Sequence, residues 1–250
     1  MADPSPKPAR VQLFATCLVE AFFPETALAA VELIEREGVE VVFPAGQTCC
    51  GQPAYNAGHR NEARAAARRQ LSALAGDLPV VVPSASCAGM MKHHYPRLFS
   101  DPAEREAAER LAHRVVEFGE FLVRGLGVRL RDAGPPLRVA WHSSCHALRE
   151  MGVVPFAKAL LAGLARVDVV PLRRETECCG FGGIFAVKHP ALSAAMAEDK
   201  LADLAATGAE RLIAGDCGCL LHLRGAIEAR GLPLRVQHLA EFLRERVHGG

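Results

Sequence analysis

One cysteine spacing occurs twice along this chain and limits its folding more than any other feature. Cys17 is followed by 31 residues, then Cys49-Cys50, then 36 residues that begin with Gly51, then Cys87. In the second half Cys145 is followed by 32 residues, then Cys178-Cys179, then 39 residues that begin with Gly180, then Cys219. Corresponding cysteines keep an offset of 128–132. The halves also close alike, "RVVEFGEFLVRGL" at 114–126 against "RVQHLAEFLRERV" at 235–247. Self-similarity at a fixed period marks a duplicated structural unit. The expected division is a loose, proline-rich tail over 1–9, a first domain over 10–133 and a second over 137–248. Gly134-Pro135-Pro136 breaks any regular element between them.

Each half alternates strand and helix. Apolar strands are expected at 11–17, 39–44 and 78–87, with amphipathic helices at 25–38, 61–76 and 101–126. The last has Asp101 as cap and Pro102 at the first helical position, and a short strand near Val115-Val116 can interrupt it. The second half gives strands at 137–145, 167–172 and 211–219 and helices at 155–165 and 190–208. Such alternation implies an α/β fold of two pseudo-repeated parallel-sheet βαβ halves. In open parallel sheets ligands gather at the carboxyl ends of the strands. Cys17, Cys49, Cys50 and Cys87 all fall there, as do Cys145, Cys178, Cys179 and Cys219. Four thiols per half can therefore converge on one point.

Two neighbouring cysteines do not suit a structural disulfide, because the bridge closes a strained eight-membered ring. The chain has no apolar signal core at its start and no apolar run of the roughly 20 residues that span a bilayer. A cytoplasmic, reducing location is the expectation, and there nine cysteines point to metal or redox chemistry. A net charge of +1 and 6% aromatic residues offer neither a basic surface nor a stacking platform for nucleic acid. Four cysteinates suit an iron–sulfur cluster or a tetrahedral zinc ion. Single cysteines on three separate loops, rather than paired C-x₂-C knuckles, favour a cluster, with zinc as the alternative at one site. The glycine after each pair permits a tight turn. No G-x-G-x-x-G follows a strand and opens a helix, so no nicotinamide or flavin site is expected.

The doubled CCG and its flanking cysteines resemble the cysteine-rich CCG domain of heterodisulfide reductase B subunits and glycolate oxidase iron–sulfur subunits. The stretches "FATCLVEAFFPE", "GVEVVFPAGQTCCGQPAYNAG", "WHSSCHALREMG", "ECCGFGGIFAVKHP" and "GDCGCLLH" are similar to the lactate-utilization subfamily. The resemblance implies tandem CCG domains with an iron–sulfur cluster, [4Fe–4S] in type, at each CCG site. It also implies a redox subunit in the oxidation of L-lactate to pyruvate, not active alone. The implied partners are a ferredoxin-like iron–sulfur protein and a third lactate-utilization protein, with a small carboxylate as substrate. Glycolate or thiol–disulfide redox chemistry is the runner-up, and a zinc-bound structural or adaptor protein the third reading.

Fuller CCG domains end each half with C-x-x-C, where this chain has Met90 and His222 in the second cysteine's place. Ser143 stands where the subfamily usually has Asp, and Cys217 is an extra thiol two residues before Cys219. Cys219 is the expected ligand, since it aligns with Cys87. His142, His146 and Arg149 beside Cys145 are the catalytic candidates, as cluster hydrogen-bonders, proton donors, ligands or, for Arg149, a carboxylate partner. His222 is a further candidate ligand. Lys92, His93 and His94 form a basic spot after Cys87, and Gln52, Tyr55 and Asn56 are placed to line the first mouth. Phe181 and Phe185 are expected to pack over the second site.

Overall fold

The computed structural model describes residues 7–249, so the expected loose tail lies mostly outside the described residues. The chain forms two compact units, dividing between Val128 and Arg129. Residues 129–136 pack with the second unit. There Asp132 pairs with Arg246, Nε to Oδ1 2.8 Å, and both side chains are 1% exposed.

In the first unit, strand β1 (Arg10–Leu13) is followed by helices α1 (Cys17–Phe22) and α2 (Pro24–Glu35). Strand β2 (Glu40–Val42) leads through the first cysteine pair to α3 (Gln52–Asn56) and α4 (Arg60–Ala73). Strand β3 (Val80–Val82) precedes α5 (Ala85–Gly89), a π-helical turn at Met90–His94, α6 (Tyr95–Leu98) and α7 (Pro102–Arg114). Strand β4 (Val115–Glu117) and α8 (Phe118–Glu120) follow. The sheet is fully parallel in the order β2-β1-β3-β4. Val80, Val81 and Val82 are completely buried, as befits β-branched residues on a central strand covered on both faces.

The second unit repeats this plan. It has β5 (Leu137–Trp141), a π-helical turn at His146–Glu150, α9 (Val154–Ala162) and β6 (Val167–Val170). Then come α10 (Ile184–Lys188), α11 (Pro190–Thr207), β7 (Arg211–Ala214), α12 (Cys217–Arg230), β8 (Arg235–His238) and α13 (Leu239–His248). Its parallel sheet runs β6-β5-β7-β8, the same order with every strand number raised by four. Each sheet reverses its winding between its two central strands, β1/β3 and β5/β7. That is the switch point where loops part and a crevice opens.

The strands are shorter than the apolar runs suggest, because helix starts claim their ends. Thr16 accepts from Val19 N at 3.2 Å and caps α1, so Cys17 opens a helix instead of closing a strand. Asp216 caps α12 in the same manner, accepting from Gly218 N at 3.2 Å, which puts Cys217 and Cys219 in that helix's first turn. The long helix expected over 101–126 is interrupted by β4, and Glu117 then caps the next turn through Glu120 N at 3.0 Å. Its start is as read: Asp101 accepts from Glu104 N at 2.9 Å, with Pro102 behind it.

Candidate metal centres

In the first unit three loops at the carboxyl edge of the sheet bring four thiols together. Cys17 lies with Cys49, Sγ to Sγ 3.7 Å, and Cys50 with Cys87 at 3.3 Å. A disulfide would need about 2.05 Å, and all nine cysteines are free. Cys50 and Cys87 are buried, while Cys17 and Cys49 are half-buried, so the quartet sits at the edge of the core.

Side-chain amides hold these loops. Gln47 donates to Leu13 O at 2.8 Å and accepts from Ala15 N at 3.0 Å, tying the Cys49 loop to the chain before Cys17. Gln70 on α4 donates to Thr48 O at 2.9 Å. Gln52 donates to Ser86 O at 3.0 Å, beside Cys87, and buried Tyr95 donates its hydroxyl to Cys50 O at 2.8 Å.

Gly51 shows why a glycine closes the pair. It adopts φ +82°, and a Cβ there would meet Ala66 Cβ at 3.0 Å. Its own N–H lies 3.4 Å from Cys49 Sγ. Thiol donation from Cys17, then from Cys50, holds the Cys49 thiol down to about 3, while Cys17 and Cys50 are pushed up.

The second unit rebuilds the arrangement with different supports. The Cys145 thiol is pushed up chiefly by neighbouring Cys178, and the Cys179 thiol by Cys178 and then Cys219, so the four sulfurs again lie together. Cys178 is held at about 2, chiefly by Cys145 and then Cys179, and Gly180 N lies 3.4 Å from its sulfur. Gly180 has φ +93°, and a Cβ there would come within 2.5 Å of Ser193 O. Lys200 takes the place of Gln70: buried on α11, it donates to the carbonyls of Arg174 and Glu175. Asp203, one turn on, accepts from Arg173 N at 3.1 Å and Arg174 N at 2.7 Å.

Cys219, not Cys217, faces this group; residues two apart on a helix point to different sides. His142, Cys179 and Cys219 offer donor atoms all within 4.8 Å of one another, and all three are buried. Burial, and next the charge of Lys200, push His142 down to about 3, so its imidazole is neutral.

The other candidates fall at varying distances from this chemistry. His146 Nδ1 is 3.5 Å from Cys145 Sγ, and its Nε2 is 3.7 Å from Glu150. Arg149 donates to Thr176 O at 3.2 Å, two residues before the second pair. Ser143 accepts from Trp141 Nε1 at 3.1 Å and donates to Glu175 at 2.6 Å, which is in turn paired with Lys158. His222 Nε2 is engaged by Ser193, 3.2 Å from its hydroxyl, and stands outside the His142–Cys179–Cys219 group. Met90 is fully buried.

The expected basic spot is spent on structure. Lys92 donates to Val115 O at 3.1 Å, and the His94 ring packs on Tyr55 at 4.7 Å, with Arg60 on Tyr55 at 3.9 Å. Phe181 packs on the start of α12 at Gly218, and Phe185 packs against His189.

Residues 11–92 and 139–224 each match the cysteine-rich domain CCG. The chain belongs to this cysteine-rich domain family. It is 43% identical over 238 residues to lactate utilization protein A of Geobacillus thermodenitrificans, covering 95% of this chain and 99% of that protein. The protein of the same name from Geobacillus kaustophilus is 44% identical over 240 residues, with 95% and 99% covered, and that from Bacillus licheniformis 43%, with 95% and 100%. A crystal structure of a hypothetical protein from Helicobacter pylori superposes with a TM-score of 0.71 at 11% identity, covering all of this chain and 52% of that one. At that identity the likeness concerns the fold alone. Among the described residues no helix is long and apolar enough to cross a membrane.

Proposed function

We propose that this chain is the iron–sulfur redox subunit of a multi-protein system that oxidises L-lactate to pyruvate. The observation that carries the reading is the double convergence of four thiols from three loops. The lactate-utilization name of relatives that match 95% of the chain supplies the substrate. Cys17, Cys49, Cys50 and Cys87 would hold one [4Fe–4S] cluster, and Cys145, Cys178, Cys179 and Cys219 the other. Such clusters, when bound, accept and release single electrons.

Lactate oxidation releases two electrons and two protons, so the chain needs partners for its electrons. A ferredoxin-like iron–sulfur protein and a third lactate-utilization protein fill that role. The chain's own residues orient the sulfurs, shield the buried half of each quartet from water and supply N–H donors at Gly51 and Gly180. The exposed guanidinium of Arg149, close to the Cys178 loop, is the candidate for meeting a carboxylate, and His146 for moving a proton beside Cys145. The proposed setting is the cytoplasm.

One observation favours a second reading for one site. Two sulfurs on a tetrahedral zinc ion, each bound at about 2.3 Å, lie about 3.8 Å apart. The Cys17–Cys49 separation of 3.7 Å already suits one ion, whereas a cluster requires the sulfurs to spread. The test is purification without oxygen followed by iron, zinc and acid-labile sulfide analysis and electron paramagnetic resonance. Brown protein with stoichiometric sulfide, reduced by lactate only when the partners are present, supports the proposal. Colourless protein carrying zinc alone overturns it.

A further inference from the structure

The two quartets are alike in sulfur but not in what lies behind them. His142 occupies the position three residues before Cys145, where the first unit has Phe14 before Cys17. The backbone confirms the match: Phe14 N donates to Val81 O at 3.0 Å, and His142 N donates to Ile213 O at 2.9 Å, each just past the end of its central strand. Both side chains are 0% exposed. The position therefore asks only for a buried ring, and phenylalanine satisfies it in one half.

In the other half the ring carries two nitrogens, and neither has a hydrogen-bond partner in the structure. An unsatisfied buried polar group is costly, and native interiors leave few of them. Such a ring is suited to a partner that the polypeptide does not provide. One ring nitrogen points to where that partner sits, lying within 4.8 Å of Cys179 Sγ and Cys219 Sγ. A nitrogen and a sulfur bound to one zinc-sized ion, at about 2.1 and 2.3 Å, are at most about 4.4 Å apart. The 4.8 Å limit on the separations found here is of the same order.

We propose that His142 is a metal ligand of the second site, binding through a ring nitrogen the metal held by Cys179 and Cys219. The two sites are then different in kind: thiolates alone in the first unit, thiolates with an imidazole in the second. The inference rests on the reading that the quartets hold metal; a cubane whose four irons each take one of Cys145, Cys178, Cys179 and Cys219 leaves no iron for the ring, so His142 as a ligand implies a single ion at this site or a cluster that one of the four cysteines does not bind.

The test uses the full chain, prepared without oxygen. A Cys50→Ser variant is expected to empty the first site, leaving the second as the main X-ray absorber. At the edge of whichever metal it holds, the absorption fine structure should require one nitrogen beside sulfur. Adding His142→Phe, the residue found at the counterpart position, should leave an all-sulfur shell. Metal should also be lost to a chelator at least tenfold more readily, since even outer partners of metal ligands are worth 10–100-fold. His146→Ala and His222→Ala should retain the nitrogen, and they assign it by elimination should the His142→Phe chain fail to fold. A second site that binds no metal, a shell without nitrogen, or nitrogen lost with His146 or His222 overturns the assignment. Absence of acid-labile sulfide refutes the iron–sulfur reading and leaves the nitrogen question to be read from the same spectra. An all-sulfur shell refutes the role of His142 and leaves the iron–sulfur reading standing.

Discussion

Adding one methyl group at three glycines tests whether the second cysteine pair is held by close backbone packing. Gly152, Gly51 and Gly180 all have positive φ, +65°, +82° and +93°. An L residue in the left-handed region costs about 1–2 kcal/mol. At Gly152 nothing lies within 4 Å of the added carbon, so that cost is the whole effect. At Gly51 the methyl meets Ala66 Cβ at 3.0 Å and Ala63 O at 3.2 Å, which small shifts relieve. At Gly180 it would reach within 2.5 Å of Ser193 O, a main-chain atom of α11 that cannot rotate away, and 3.0 Å of Met196 Cβ.

Overpacking adds about 1–3 kcal/mol. The expected losses are about 1–2 kcal/mol for Gly152→Ala, about 2–3 for Gly51→Ala and about 3–5 for Gly180→Ala. The last is a large part of the roughly 5–15 kcal/mol that holds a domain folded. Urea unfolding in the presence of a chelator, so that bound metal adds nothing, measures all three. Trp141, the single tryptophan, is buried in the second unit and reports Gly152→Ala and Gly180→Ala by fluorescence. Circular dichroism follows Gly51→Ala. A Gly180→Ala chain no less stable than Gly152→Ala would refute the packing argument, as would Gly51→Ala being the most damaging.

Three further outcomes are expected. Cys219→Ser should remove metal from the second site while Cys217→Ser leaves metal content unchanged, read by metal analysis of each variant. Tyr95→Phe should cost about 1–3 kcal/mol in urea unfolding, because it leaves the buried Cys50 carbonyl without its donor. The second unit should lose stability in acid through Asp132. Burial alone would raise this carboxyl, but the backbone N–H of Arg166 and the Arg246 guanidinium hold it below the usual range. The folded state therefore binds that proton more weakly than the unfolded chain. The stabilisation is complete above the unfolded value of about 3.9 and is lost as pH falls through the lower folded value. Asp132→Ala should destabilise by about 3–5 kcal/mol at neutral pH and flatten the acid limb of a Trp141 fluorescence titration.

The duplicated architecture is legible in the sequence because it rests on two strong local signals, strand-helix alternation and a cysteine spacing that recurs. The apolar runs overstate the strands where Thr16 and Asp216 cap helices that begin at the cysteines. An apolar run reads as strand until a side chain takes the next amide. β8 escaped assignment because "RVQH" alone has too few apolar residues, although its likeness to "RVVE" pointed to it. The loop clamps also went unread. Their signal is a polar residue on a core-facing helical stripe, Ala63-Ala67-Gln70 in α4 and Ser193-Ala197-Lys200 in α11, at matching spacing. What that residue grips, the carbonyls before each cysteine pair, depends on contacts 21–26 residues apart in the chain. The orphaned ring of His142 was likewise visible only once its neighbours were in place.

The account depends on each half holding its own iron–sulfur centre. Iron and acid-labile sulfide per chain, measured without oxygen in the parent protein and in Cys50→Ser and Cys179→Ser variants, test this most directly. Each variant should lose about half of both, and the double variant nearly all. Sulfide absent from the parent protein, or unchanged in either single variant, would contradict the account.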